Sequence, residues 1–130
     1  MKPGSRAGFT LIELLIVVVI IGILATIAVP KFAATKEQAY VSRMRSDLRN
    51  MATAQTAYEA DKATYYNGPV PAAVLLYTPS PDVTITLSDV SATGWAAKAT
   101  HTATSRACAI FVGTAAPVAP ATVDGLVACS

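Results

Sequence analysis

The sequence has few of the residues from which metal and catalytic sites are built. Of its 130 residues one is histidine, His101, and two are cysteine, Cys108 and Cys129. No Cys-x-x-Cys pair or histidine cluster is present, and no serine or cysteine nucleophile motif accompanies His101. The sequence therefore predicts no metal, no cofactor and no enzyme active site, and it favours a surface or sheet position for His101.

Charge is also scarce and nearly balanced. Charged residues make up 14% of the chain, with 10 basic against 8 acidic side chains. Proteins that bind nucleic acids without sequence preference carry a strongly basic surface. The balance therefore argues against nucleic-acid binding as the main activity.

Charge is reduced to a single residue over one long stretch. Residues 9–29 are apolar or small, apart from Thr10 and Glu13. About 20 such residues cross a bilayer as a helix, and Lys2 and Arg6 precede them as a basic flank of the kind that stays cytoplasmic. A cleaved secretory signal is the alternative, but the small residues 25–28 lie inside the run rather than after it.

Glu13 is the one acid in this run. A charge at a bilayer centre costs about 2.5 to 3.5 kcal/mol on insertion scales, so an acid in such a segment usually has a function. The run GFTLIE, residues 8–13, closely resembles the processing signature of type IV prepilins and their pseudopilin relatives. The resemblance implies cleavage by a prepilin peptidase between Gly8 and Phe9 and N-methylation of the new Phe9 amine. The apolar run is then retained, and loss of Lys2 and Arg6 takes the net charge from +2 to zero.

The same resemblance implies a role for Glu13 in assembly. In a fibre core the carboxylate would pair with the Phe9 amine of a neighbouring subunit and set the axial register, since an unpaired buried charge is costly. The alternative is a first-turn acid that only favours the helix dipole, worth about 0.3 to 1 kcal/mol.

We expect one long helix from residue 9 to about residue 62. Gly22 and Pro30 interrupt its apolar half, since glycine costs about 1 kcal/mol and proline about 3 kcal/mol within a helix. The alternatives are a simple bend at Pro30 and an unwinding of residues 22–30 on assembly, which the pilin resemblance supports.

The second half of this helix is amphipathic. Six residues recur at helical spacing and predict the seam on which a sheet docks: Tyr40, Met44, Leu48, Met51, Gln55 and Tyr58. Charged residues are expected off this stripe, at Lys36, Glu37, Arg43, Arg45, Asp47 and Arg49. We expect Arg43 and Asp47 to form an i,i+4 ion pair, and the three arginines to form a solvated or subunit-facing edge.

The remainder predicts a small antiparallel sheet. Residues 63–82 carry turn residues and prolines and form a connecting loop. Strands are expected at 83–87, 94–102, 107–112 and, more weakly, 123–129, with a loop at 113–122. The fold class is α+β and pilin-like: a helix with an apolar membrane or fibre-core half and an amphipathic half docked on the sheet.

A disulfide between Cys108 and Cys129 would close the last loop. An even number of cysteines facing an oxidising compartment favours pairing, although two unrelated buried thiols are the alternative. The pilin resemblance points to the pair.

From the processing motif, the apolar run and the predicted sheet, we divide the chain into a leader (1–8), a core helix (9–35) and a head (36–130).

The resemblance implies a structural subunit that polymerises with itself, serving adhesion, motility or DNA uptake. Its implied partners are the prepilin peptidase and an assembly platform in the inner membrane, and its locations are that membrane and an extracellular pilus. The first alternative is a type II secretion pseudopilin. Residues 61–66 are similar to the end of the pseudopilin helix, but such proteins typically have a calcium loop, and Asp82, Asp89 and Asp124 lack calcium-loop spacing.

Two further alternatives concern other pilins. A minor or DNA-uptake pilin would bind DNA at Lys98, His101 and Arg106. An electron-conducting pilin would use the aromatic residues along the helix, which are Phe9, Phe32, Tyr40 and Tyr58.

Overall fold

A computed structural model describes residue 4 and residues 8–130, so Lys2 and Arg6 lie outside the described residues. It confirms the α+β class: one long helix and one four-stranded antiparallel sheet. The chain divides between Lys36 and Glu37 into two compact units. We call the second unit, Glu37–Ser130, the head; it begins one residue later than the head expected from the sequence (36–130).

Helix α1 extends from Leu11 to Lys62. It begins after Thr10 because Thr10 and Glu13 form a capping box. Thr10 Oγ1 accepts the Glu13 N–H at 3.3 Å, and the Glu13 carboxylate accepts the Thr10 N–H at 2.8 Å. The helix continues through Gly22 and Pro30, so neither residue ends it in this structure.

The amphipathic half of α1 supplies one side of the head's main core. Met44, Leu48 and Met51 are fully buried, and Gln55 lies among them. The expected stripe is therefore confirmed along its centre, and its two end residues are half-buried. The spacing of three or four residues between the buried side chains places them on one helix face, where the sheet covers them.

The expected Arg43–Asp47 ion pair is wrong. Asp47 is only 3% exposed, whereas Arg43 is exposed to solvent. In the part of the chain that the structure describes, the one ion pair joins Lys62 to Asp61. Asp47 instead hydrogen-bonds within the head, because it lies three residues after Met44 and thus on the buried face.

The sheet contains β1 (Val83–Ser88), β2 (Gly94–His101), β3 (Ala107–Gly113) and β4 (Ala128–Cys129), in that spatial order. Each strand is antiparallel to the next, with Val83 opposite His101, Gly94 opposite Gly113 and Cys108 opposite Cys129. The first three expected strands are confirmed to within one residue at each end.

The expected strand at 123–129 is wrong for all but its last residues, Ala128 and Cys129. Residues 114–127 instead cross the outer face of β2 and β3 and form a second, smaller core there. Its buried members are Ala96, Ala109, Phe111, Ala115 and Ala121. Small alanines on the outer face let this segment lie close against the sheet. It buries the outer face of β3 and of the first half of β2, while the outer faces of β1 and of the second half of β2 are exposed.

Candidate functional site: the processing junction and the apolar helix

The expected cleavage junction lies at the start of α1. Gly8 and Phe9 precede the helix, and Phe9 is 80% exposed. One carboxylate oxygen of Glu13, Oε2, accepts both the Thr10 N–H and the Thr10 hydroxyl, each at 2.8 Å. The other oxygen, Oε1, makes no hydrogen bond within the described residues, so it is open to a donor from another molecule.

The apolar half of α1 is exposed to solvent along its whole length. Every residue from 11 to 36 is exposed, and large side chains such as Ile12 (64%), Leu24 (61%) and Val29 (68%) present most of their surface. This segment is long and apolar enough to cross a membrane. Each square ångström of apolar surface removed from water is worth about 25 cal/mol, so this half of the helix has a strong drive towards lipid or other subunits.

Asp47 anchors the connecting loop to α1. Its carboxylate accepts the Ser80 N–H at 3.0 Å and the Ser80 hydroxyl at 3.1 Å. The Tyr77 hydroxyl donates to the Asp47 carbonyl oxygen at 3.1 Å. Burial, followed by the negative charge of Asp47, raises the pKa of the Tyr77 phenol well above its usual range.

Gln55 forms a second anchor near the end of α1. Its amide donates to the Tyr66 carbonyl oxygen at 2.9 Å, and its own oxygen accepts the Tyr66 N–H at 2.8 Å. The side chain thus satisfies both backbone groups of one loop residue. The sequence placed Gln55 on the buried stripe, but it did not predict either anchor. The helical periodicity could have indicated that Asp47 is buried, because Asp47 shares the helix face of Met44 and Met51.

The disulfide joins Cys108 to Cys129, with 4.0 Å between their Cα atoms. The two residues face each other across β3 and β4. Cys108 is fully buried against the main core, so the bond ties the C-terminal end of the chain to the centre of the sheet.

His101 lies in β2 as expected, but it is buried rather than at the surface. Its ring stacks on Tyr40, with 4.3 Å between centroids, and its Nδ1 accepts the Ala103 N–H at 3.1 Å. Lys98 points to the opposite, outer face of the same strand and is exposed. The structure therefore does not bring Lys98, His101 and Arg106 together on one surface.

The aromatic residues along α1 have separate surroundings. Phe9 and Phe32 are exposed, Tyr40 stacks on His101, and Tyr58 packs edge-on against Tyr66. These local contacts are ordinary aromatic packing.

The long apolar helix, its capped and exposed N-terminus and the small disulfide-closed sheet define a class: a pilin-like subunit with a membrane-spanning type of helix. Residues 4–29 match the family model described as the prokaryotic N-terminal methylation motif. The chain therefore carries a prepilin-type N-terminus.

Curated relatives are similar to this chain over about half of its length. The type II secretion system core protein G of Pseudomonas aeruginosa is 40% identical over 65 residues, which are 50% of this chain and 46% of that protein. The type IV major pilin protein PilA of Myxococcus xanthus is 47% identical over 64 residues, 49% of this chain and 29% of that protein. The core protein G of Escherichia coli K12 is 40% identical over 61 residues, 47% of this chain and 42% of that protein.

The chain thus covers less than half the length of each of these relatives. Over about half of its length, this chain is therefore similar to type IV pilins and to type II secretion pseudopilins. The motif and the apolar helix fit a precursor in the inner membrane and a subunit in an extracellular pilus.

Proposed function

We propose that this chain is a structural subunit, not an enzyme, of a type IV pilus, and that it polymerises with itself through the apolar half of α1. The observation that carries the proposal is the full exposure of residues 11–36 directly behind a prepilin-type motif. A helix of this kind gains free energy either in lipid or in a bundle of identical helices. A subunit that leaves the membrane must therefore bury this surface against its neighbours.

The proposed processing step is cleavage between Gly8 and Phe9 by a prepilin peptidase, followed by methylation of the Phe9 amine. Both residues precede the first helical turn and are exposed, so the bond is accessible to an enzyme. Assembly then pairs the Phe9 amine of one subunit with Glu13 of the next. The open Oε1 of Glu13 supports this pairing, since the capping box occupies only Oε2.

The proposed partners are further copies of this chain, the prepilin peptidase and an assembly platform in the inner membrane. Adhesion, twitching motility and DNA uptake are the roles that such a fibre would serve. The division into a leader (1–8), a core helix (9–35) and a head (36–130) follows from this proposal.

A second candidate is a pseudopilus subunit of a type II secretion system. The relatives named core protein G favour it. The two candidates share processing and helix packing. They differ in whether the polymer extends beyond the cell surface, as a pilus does, or stays within the cell envelope.

The intact mass of the protein in material sheared from whole cells separates the two. We expect a chain that lacks residues 1–8, carries one added methyl group and has two hydrogens fewer because of the disulfide. A processed chain that is abundant in membranes but absent from the sheared fraction would support the pseudopilus subunit instead. A chain that still carries residues 1–8 in both fractions would contradict both candidates.

A further inference from the structure

Strand β1 lies at the edge of the sheet, beside β2 alone. We propose that its open edge is a strand-addition site for an extended, uncharged segment of a partner protein that has a lysine or arginine at each end. The proposal concerns the head alone and does not depend on whether the chain forms a pilus or a pseudopilus.

The ladder between β1 and β2 shows which backbone groups are free. The Thr102 N–H donates to the Asp82 carbonyl oxygen at 3.1 Å, just beyond the paired strands. Asp82 and Thr102 thus form a hydrogen-bonded pair, and such pairs recur at every second residue of an antiparallel ladder. The backbone N–H and carbonyl groups of Thr84, Thr86 and Ser88 therefore face β2.

The backbone groups of Ile85 and Leu87 therefore face away from β2. The Val83 N–H, which shares their direction, donates to the Ser80 carbonyl oxygen at 3.1 Å. Among the described residues, no turn or loop backbone group bonds to Ile85 or Leu87. One N–H and one carbonyl oxygen of each are thus available to an added strand.

The edge also lacks the usual protection against pairing. Natural edge strands are commonly blocked by lysine, proline or a bulge, whereas β1 has the sequence VTITLS and pairs with β2 without a bulge. Its outer face carries the exposed hydroxyls of Thr84, Thr86 and Ser88. The strand is therefore regular, uncharged and mainly β-branched, which suits it to main-chain pairing.

The residues at its two ends decide which partner it accepts. Asp82 and Asp89 flank β1, and both are exposed; Asp89 also accepts the Ala116 N–H at 2.5 Å. If two copies paired β1 with β1 antiparallel, the Asp82 end of each strand would lie near the Asp89 end of the other. Like charges across strands are destabilising, so the aspartates disfavour a second copy and favour a segment with basic ends.

The test uses the full processed chain in detergent micelles and a fluorescein-labelled peptide, Lys-Val-Thr-Val-Thr-Val-Thr-Lys. Fluorescence anisotropy should show saturable binding. The same peptide with its central amides N-methylated should lose at least tenfold in affinity, because it cannot form the ladder. A version with glutamate ends should also bind at least tenfold more weakly.

Three variants locate the site. Leu87→Pro removes the outward N–H and should lower the affinity at least tenfold, since proline is tolerated at a sheet edge but cannot donate. Leu87→Ala is the matched control: it loses the same side-chain packing, keeps the N–H and should bind like the wild type. Asp82→Asn combined with Asp89→Asn should abolish the preference for basic ends, and asparagine tolerates the left-handed backbone at both positions.

Three results would overturn the proposal. The first is equal binding by the N-methylated peptide, and the second is equal loss of binding in the Leu87→Pro and Leu87→Ala variants. The third is concentration-dependent self-association that Leu87→Pro abolishes, measured by sedimentation, because it would assign the edge to a second copy.

Discussion

At the start of α1, the two oxygens of Glu13 are used differently. Oε2 closes the capping box with Thr10, whereas Oε1 accepts no hydrogen bond from the residues that the structure describes. The capping box shows that a local role for this acid is real. The local role would not compete with the proposed pairing between subunits, because that pairing would use the other oxygen.

Two substitutions separate these roles of Glu13. Glu13→Gln keeps an oxygen that can accept the Thr10 N–H but removes the charge that would pair with the Phe9 amine. We expect a normally processed chain in the membrane and at least tenfold less subunit in the sheared fraction. Thr10→Ala loses the cap, at a cost of about 1 kcal/mol, and should still assemble. Normal fibres from Glu13→Gln would show that the charge is dispensable.

Asp47 shows how a charged residue becomes part of a core. We expect Asp47→Ala to destabilise the head by roughly 1.5 to 3 kcal/mol, because Ser80 loses hydrogen bonds to a charged group. Arg43→Ala should change stability by about 0.5 kcal/mol or less, as is usual for an exposed residue. Urea unfolding followed by the fluorescence of Trp95, the one tryptophan, measures both. Equal effects would contradict the assignment of Asp47 to the core.

Helix α1 combines two kinds of helix in one element. Its first part has no side chain buried within the chain, and its second part buries a regular stripe. Within the first part, Pro30 cannot donate a backbone hydrogen bond to Thr26, and the Thr26 hydroxyl donates to the Gly22 carbonyl oxygen at 2.9 Å. The turn that ends at Pro30 therefore lacks one backbone hydrogen bond of a regular helix.

We expect residues 22–30 to lose helical structure on assembly. Amide hydrogen exchange should be faster over this segment in intact fibres than in the micelle-bound subunit, because unwound turns expose their N–H groups. Gly22→Ala combined with Pro30→Ala should reduce that difference, since both changes favour the helix. Equal protection in the two states would leave a simple bend as the account of Pro30.

The connecting loop and the outer edge of β1 differ in whether their backbone groups have hydrogen-bond partners. Three backbone groups of the loop, one on Ser80 and two on Tyr66, are satisfied by Asp47 and Gln55 of α1. Strand β1 has no such cover on its outer edge in the described chain. The loop is therefore fixed to the head, while the edge keeps free bonding capacity.

Across the whole head, the disulfide compensates for small size. The sheet has a final strand of only two residues, Ala128 and Cys129, and the second core is made mainly of alanines. Such a short strand contributes little pairing of its own. The covalent bond to Cys108 holds it in register.

Reduction of the disulfide tests this account. The bond closes a loop with a sequence separation of 21 residues, and a loop of this size gains about 3 kcal/mol in the chain-entropy model. We expect dithiothreitol to lower the unfolding midpoint of the wild type and to leave a Cys108→Ala, Cys129→Ala double variant unchanged. An unchanged wild-type midpoint would mean that packing alone holds the C-terminal segment.

Local patterns in the sequence determined much of this protein. The apolar run and the GFTLIE motif identified the N-terminal half, because hydrophobicity and a processing signal are properties of a short segment. Period-two alternation located three strands, and helical spacing located the buried stripe of α1. These features depend on neighbours within a few residues.

Only the tertiary structure decided the rest. The partners of Asp47 and Gln55 are Ser80 and Tyr66, which are distant in sequence and meet them only when the loop folds back. Residues 114–127 looked like a loop and the start of a strand, and they became a cover for the outer sheet face because apolar alanines of β2 and β3 needed burial. The open edge of β1 likewise follows from strand order, which no local pattern encodes.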